Sequence, residues 1–346
     1  MSNIAEIDPN FKVETAIDKP DICFYNSLEA PFGIYGVFYQ DRQFRRLPES
    51  VAKTVNAGVL RLHNHTAGGR VRFRTDSPYV AISAKTPVVG KMAHFAMTGS
   101  SGFDLYDGDR FVNSFVPPFN YKEGYENVIE LGDKKMRDIT IHFPLYSQVS
   151  QLYIGVSRDA VLEAPKPYTH QIPMVYYGSS VTQGGCASRP GMAYSNIVSR
   201  RLDADHINLG FSGSGKGEQE IADYIKDLKM SVFICDYDHN APTPEHLEQT
   251  HGRLVRTVRE ANPELPIVCL SRPQIYVNEE AQRRIDIIRA TVDSCRDRGD
   301  EKIWMLTGQQ LMALTDGEGL VDKWHPTDLG FASMAKVLGN FLKTIL

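Results

Sequence analysis

The chain has 346 residues and a formal net charge of -4, from 38 Lys and Arg against 42 Asp and Glu. That balance gives no support for binding nucleic acid or an anionic membrane, and no apolar run approaches the ~20 residues that a membrane-spanning helix needs. With 42% hydrophobic and 23% charged residues the composition is that of an ordinary soluble globular protein, long enough for two domains.

The first residues, Met1-Ser2-Asn3-Ile4-Ala5-Glu6-Ile7-Asp8, lack the basic patch and apolar stretch of a signal peptide, so the expected location is cytoplasmic. Residues 1–165 read as β-rich. Val71-Arg72-Phe73-Arg74-Thr75 alternates, Asp76-Ser77-Pro78 turns, and Tyr79 to Ala84 alternates again. Further short runs lie at 110–112, 139–143 and 147–156, and no helix of three turns is evident. Many short strands separated by turn residues predict an all-β sandwich of jelly-roll type over 1–165. Within it, Gly102-Phe103-Asp104-Leu105-Tyr106-Asp107-Gly108 ends on an Asp-Gly pair, which predicts a hairpin turn. His63-Asn64-His65 has two imidazoles on one face of a strand but no third ligand nearby, so they are read as surface or loop histidines rather than a metal site.

Residues 161–171, with Pro165 and Pro167, read as a linker. Strands and helices then alternate. Strands are expected at 174–177, 206–209, 232–235, 266–270 and 303–306. Helices are expected at 192–201, 218–228, 244–261, 279–296 and 327–346. Thr243 is the N-cap of the third helix, and Ile285, Ile288 and Val292 form the apolar stripe of the fourth. Such βα repetition predicts a parallel sheet covered by helices on both faces, in a second domain over 172–346. The cysteines, Cys23, Cys186, Cys235, Cys269 and Cys295, are odd in number and never spaced Cys-x-x-Cys, which predicts reduced thiols. Cys235 and Cys269 lie in apolar strands and read as core. Cys186 has no basic neighbour to lower its pKa and reads as packing rather than as a nucleophile.

Chemistry concentrates at the carboxyl ends of these strands. In Tyr177-Gly178-Ser179-Ser180-Val181-Thr182-Gln183-Gly184, a small-residue turn joins strand to helix and puts Ser180 at its tip. Its rival, Ser179, reads as orienting the loop. A serine needs a base, and Asp322-Lys323-Trp324-His325-Pro326 offers an imidazole with a carboxylate three residues before it. Gly210-Phe211-Ser212-Gly213-Ser214-Gly215-Lys216-Gly217 misses a phosphate-binding loop at its last position and suits an oxyanion loop better. Asp236, Asp238 and His239 are close enough in sequence to suggest a metal, or simply a braced loop. Arg189 and Arg272 follow strand ends and are candidate substrate-binding cations, or partners of nearby carboxylates.

These blocks, in order from Gly178 to His325, resemble the GDSL/SGNH hydrolases. Gly178-Ser179-Ser180 resembles the first block, with Ser179 where the family has Asp, and Asp322-x-x-His325-Pro326 resembles the last. Gly102-x-Asp104-Leu105-Tyr106 is similar to a signature of a β domain that precedes some SGNH esterases. The resemblance implies a flavodoxin-like three-layer α/β/α domain behind the sandwich. It implies a triad of Ser180, His325 and Asp322, and oxyanion donors at Ser180, Gly213 and Asn240, with no metal and no cofactor. The implied activity is hydrolysis of small acyl esters, acetyl in the first place, on a carbohydrate or similar polyol. The implied partner is thus a small-molecule or oligosaccharide ester. An acyltransferase with the same triad and a non-catalytic carbohydrate-binding protein are the alternatives, and oligomeric state is left open.

Overall fold

The computed structural model describes residues 15–346, so the N-terminal octapeptide read above lies outside the described residues. The chain forms two compact units, each built from more than one stretch of sequence.

The first unit takes the chain up to Arg45, then Asn64–Pro167 and Arg189–Gly191. Its strands are β1 (Ile22–Asn26), β2 (Gly33–Tyr35), β3 (Phe38–Gln40), β4 (Gln43–Arg45), β5 (Arg70–Thr75), β6 (Tyr79–Lys85), β7 (Phe103–Asp107), β8 (Arg110–Phe115), β9 (Gly124–Glu130), β10 (Arg137–His142), β11 (Gln151–Ser157) and β12 (Leu162–Glu163). One antiparallel sheet runs β1-β11-β6-β9. A second runs β12-β5-β10-β7-β8, with β2 also on β5. Alternation decides which side chains meet: Val71 and Phe73 of β5 and Ile139 and Ile141 of β10 share one apolar core with Ile82 of β6 and Ile154 of β11. The expected hairpin is present, β7 and β8 pairing at Asp107↔Arg110 around Gly108 at φ +62°.

The signature in β7 does more than form a turn. Asp104 is fully buried, and Oδ1 lies 2.9 Å from His142 Nδ1. Its Oδ2 accepts from the Gly191 N–H at 2.7 Å and from Arg189 Nη1 at 3.2 Å. Burial alone would raise this carboxyl, but His142 and Arg189 outweigh it and hold it below its ordinary value. The Arg189 guanidinium also meets the Tyr106 hydroxyl and lies 3.7 Å from the Phe111 ring centroid. His63 and His65, expected at the surface or in a loop, do lie outside the regular helices and strands, but both are buried, at 4% and 9% exposure.

The second unit takes Arg46–His63, Tyr168–Ser188 and Met192–Leu346. Its five strands, β13 (His170–Gly178), β14 (Ala204–Gly210), β15 (Val232–Asp236), β16 (Ile267–Leu270) and β17 (Ile303–Leu306), are all parallel in the order β14-β13-β15-β16-β17. A parallel sheet is covered on both faces, so Met174 to Tyr177 and Val232 to Cys235 are continuously buried. The chain leaves interior strand β13 for edge strand β14 on one side and then crosses to β15 on the other. That reversal opens a crevice at the carboxyl ends of these strands.

The helices are α1 (Glu49–Val55), α2 (Ala57–Leu62), α3 (Ser180–Gln183), α4 (Tyr194–Leu202), α5 (Gln219–Lys226), α6 (Pro244–Ala261), α7 (Glu279–Arg296), α8 (Gly308–Leu311) and α9 (Asp328–Leu342). Thr243, Asn278 and Thr327 cap α6, α7 and α9 by accepting from the N–H groups of His246, Ala281 and Gly330. Ile285, Ile288 and Val292 of α7 are buried, as their spacing predicts. Residues 46–63 depart from expectation. Placed by sequence in the β domain, they form two short helices whose Ala52, Val59 and Leu62 join the core of the second unit beside Ile221 and Ile225 of α5. No helix among the described residues is long and apolar enough to cross a membrane.

Candidate active site

The site begins where β13 ends. Gly178 lies beside Asp236 in the sheet register. A Cβ at Gly178 would stand 2.0 Å from Thr182 Oγ1 and 2.4 Å from the Asp236 carbonyl oxygen, so the turn admits only glycine there. Ser179 then caps α3: its hydroxyl accepts from the Val181 N–H, and its own N–H donates to Thr182 Oγ1, both at 3.1 Å. Ser179 is fully buried in that role. Ser180, the first residue of α3, is 9% exposed, and its Oγ lies 3.1 Å from His325 Nε2.

His325 is held from below. Its Nδ1 lies 2.9 Å from Asp322 Oδ2. Asp322 Oδ1 accepts the backbone N–H groups of Trp324 at 2.7 Å and His325 at 2.8 Å, a tight local turn that leaves the carboxylate one orientation. Partial burial pushes the Asp322 carboxyl up, but the His325 ring and the two N–H bonds outweigh it and hold it at about 2. The carboxylate is therefore ionised throughout the neutral range and fixes the tautomer that leaves Nε2 facing Ser180. Sequence reasoning missed Asp328, in the first turn of α9. Its carboxylate accepts the Ser188 N–H at 2.8 Å and the Ser188 hydroxyl, tying the loop after the nucleophile turn to the helix that follows His325. Its only sequence signal is an acidic residue after a capping threonine, which is common to many helices.

The glycine loop after β14 forms the facing wall. Gly213 has φ +66° with open space around it. Ser212 N–H donates to Gln183 Oε1 at 3.0 Å, which joins this loop to the nucleophile turn. Arg46 is buried and anchors the strand end: its guanidinium donates to the carbonyls of Gly210 at 2.7 Å, Asn208 at 3.0 Å and Leu62 at 2.9 Å. Asn56, the N-cap of α2, donates to the Ser214 carbonyl at 2.9 Å and to Glu218 Oε1 at 2.7 Å. Neither residue was singled out by sequence, because both sit more than 150 positions from the strand end and glycine loop they hold.

Asn240 stands at this wall, but its side-chain donors are already engaged. Nδ2 donates to the carbonyls of Phe211 at 2.8 Å and Gly215 at 2.9 Å, while Oδ1 accepts the Gly213 N–H at 3.1 Å. In this state Asn240 braces the glycine loop, its side-chain N–H groups turned to those two carbonyls.

Ser180, Gly213, Asn240, Arg272, Trp324 and His325 line one cleft of about 440 Å³. Arg272 shares the buried Asp238 with Arg284: Arg272 Nε lies 3.4 Å and Arg284 Nη1 3.2 Å from its Oδ1. The Trp324 ring lies 5.7 Å from the Arg272 guanidinium and meets His239 edge-on at 5.7 Å. Burial pushes His239 down to about 3, and the positive charge of Arg272 and Arg284 adds to this, so it is neutral. The metal reading of Asp236, Asp238 and His239 dissolves into separate partners, Asp236 on Thr182 and Tyr194 and Asp238 on two arginines. Arg189, also expected to bind substrate, is not in this cleft but on Asp104 and the Phe111 ring. Burial pushes the Cys186 thiol up to about 12, and Asp322 adds to it, which removes it as a nucleophile.

Residues 171–343 match the GDSL-like lipase/acylhydrolase family, and residues 22–162 match the GxDLY domain described as the N-terminus of SGNH-hydrolase-type esterases. No curated protein matches the chain. Among solved structures, a GDSL-like lipase from Bacteroides ovatus is 29% identical, with 94% of this chain and 98% of that one covered and a TM-score of 0.83. The salicylyl-acyltransferase SsfX3 from a tetracycline biosynthetic pathway is 18% identical over 94% and 98% of the two chains, with a TM-score of 0.74. A family two carbohydrate esterase from Clostridium thermocellum, solved with cellohexaose, is 15% identical over 80% and 92%, with a TM-score of 0.60. The last two share the fold.

Proposed function

The chain belongs to the GDSL-like lipase/acylhydrolase family, and we propose that it is a serine esterase that removes small acyl groups, acetyl in the first place, from a carbohydrate or related polyol. One observation carries the reading: the unbroken relay from Ser180 Oγ through His325 to Asp322, with contacts of 3.1 and 2.9 Å. In it, Ser180 Oγ adds to the ester carbonyl as its proton passes to His325 Nε2. Asp322 stabilises the resulting imidazolium. Collapse of the tetrahedral adduct expels the alcohol, which takes that proton, and the acyl group stays on Ser180. A water activated by the same imidazole then releases the acid and restores the serine.

The oxyanion is assigned to the N–H groups of Ser180 and Gly213. The Gly213 N–H rests on the neutral Asn240 carbonyl oxygen, and a developing oxyanion is the stronger acceptor. Asn240 serves by holding the loop that presents this N–H. Each such donor stabilises the transition state by ~3 kcal/mol. For the alcohol side, the support is Trp324, 43% exposed at the cleft rim and able to offer a ring face to a sugar. A carbohydrate esterase solved with cellohexaose, of the same fold, points the same way. The acyltransferase of that fold keeps a second acceptor in view, an alcohol in place of water.

The test is turnover of p-nitrophenyl acetate and of an acetylated xylo-oligosaccharide. Ser180→Ala should lose ~10⁴-fold or more in kcat while Ser179→Ala folds and retains turnover. Loss in Ser179→Ala with full activity in Ser180→Ala would name the other hydroxyl. A transferred acyl group in the presence of an added alcohol, at the expense of free acid, would favour the transferase.

A further inference from the structure

A carboxylate lies directly behind the nucleophile turn, and the relay just described does not use it. Asp236 ends β15, opposite Gly178 in register, and is buried. Its Oδ2 accepts two hydroxyls: Thr182 Oγ1 at 2.8 Å and the Tyr194 hydroxyl at 2.7 Å. Thr182 is not a bystander, since its Oγ1 accepts the Ser179 N–H at 3.1 Å. With its proton given to Asp236, the Thr182 oxygen is turned to receive that N–H. One hydroxyl thereby links the carboxylate to the residue immediately before Ser180. Tyr194 extends the contact: its ring stacks on Phe331 of α9, 6.3 Å between centroids and 16° between planes. That helix follows directly on His325. The carboxylate is thus tied to both segments that must meet.

We propose that Asp236 is a positioning residue: through Thr182 it sets the turn that carries Ser180, and through Tyr194 it fixes that turn against the helix following His325. The inference rests on Ser180 being the nucleophile. Groups that could titrate around it are Tyr194 on α4, Tyr176 of β13 behind that ring, Cys235 beside it in β15 and Asp238 two residues on. Burial keeps Tyr194, Tyr176 and Cys235 protonated well above neutrality. The Asp236 carboxyl itself is pushed by burial up to about 7, the hydroxyls of Tyr194 and Thr182 offsetting only part of that. Its charge therefore changes near neutral pH. When it is protonated, Oδ2 becomes a weaker, neutral acceptor for the Thr182 hydroxyl, which also lies 3.4 Å from the Asp236 backbone carbonyl.

The test is a set of steady-state profiles with p-nitrophenyl acetate, from about pH 5 to about pH 9. The proteins are wild type, Asp236→Asn, Thr182→Val, the double variant and Ser180→Ala, each with its unfolding midpoint measured. Asp236→Asn should lower kcat roughly tenfold with KM unchanged, short of the ~100-fold that a 1 Å misplacement costs. It should also remove one ionisation from the acidic limb of kcat, leaving a limb that falls with a single proton. Thr182→Val should show the same kcat loss, and the double variant should be no worse than either single one, as expected for groups acting as a unit. Wild-type kcat and an unchanged acidic limb in Asp236→Asn would overturn the proposal. If that variant does not fold, wild-type kcat in Thr182→Val overturns it instead. Full turnover in Ser180→Ala would bring down the esterase reading and this inference together, whereas loss there with an indifferent Asp236→Asn sinks this one alone.

Discussion

At the scale of single residues, two carboxylates near one serine are driven in opposite directions by their surroundings. Asp322 accepts three hydrogen bonds and is held at about 2, while Asp236, buried behind two hydroxyls, rises to about 7. The consequences for stability follow from linkage. Asp322 titrates lower in the folded chain than its ordinary 3.8, so its contribution is present above that pH and lost as pH falls toward 2. Asp236 titrates higher than its ordinary 3.8, so from 3.8 to about 7 the folded chain holds a proton that the unfolded chain has released. Its contribution to stability is present at acid pH and lost as pH rises through about 7. We expect the stability of wild type relative to Asp236→Asn to fall across that window, read by urea denaturation on either side of it. Parallel curves would mean the carboxyl titrates normally. Ser180, His325 and Asp322 were legible because their spacing and order carry the chemistry. Asp236 was not, since proximity to Asp238 and His239 along the chain says nothing of where side chains point. It was read as a candidate metal ligand, yet its partners come from α3 and α4. Of the two readings open for Arg189, substrate cation or partner of a carboxylate, the second is the one seen, with Asp104, 85 positions earlier, as the partner.

At the scale of elements, the two loops that frame the cleft are fixed by backbone hydrogen bonds to side chains from far away. The clearest case is Arg46, whose guanidinium binds three carbonyls and lies 4.9 Å from the Phe211 ring centroid. Arg46→Met keeps most of the stem and withdraws every donor, leaving the carbonyls of Leu62, Asn208 and Gly210 without that partner. We expect a loss of ~3 kcal/mol in unfolding free energy, the scale for stripping a buried polar group of its partner. Urea denaturation measures it, and a change below ~0.5 kcal/mol would show that water replaces the guanidinium. The sequence reading found α6 and α7 at their observed limits because long amphipathic stripes and capping residues leave little freedom. It passed over α1 and α2, seven and six residues long, because two turns hold too few apolar positions to establish a period.

At the scale of the molecule, the change from many short alternating strands to regular βα repetition marked the two folds. A sandwich can form from alternating half-buried strands, and a parallel sheet needs continuous apolar ones. What composition could not reveal is that neither unit is a continuous segment. Residues 46–63 leave the β-rich half of the sequence to complete the α/β unit, and Arg189–Gly191 make the reverse exchange. A single boundary near residue 165 describes the main change of fold but not these two exchanges.

Because Arg46 and Asn56 come from an excursion of the N-terminal half, the second unit is not a separable cassette. A fragment beginning at residue 168 would carry Ser180, Asp322 and His325 yet arrive without the two side chains that grip the ends of its own glycine loop. We expect such a fragment to be nearly inert toward p-nitrophenyl acetate, and an eighteen-residue peptide spanning 46–63, supplied in trans, to recover part of the lost turnover. Full activity in the unaided fragment would mean that the loop finds its shape alone. Any shuffling of this gene into single-domain pieces would have had to carry that short passage along.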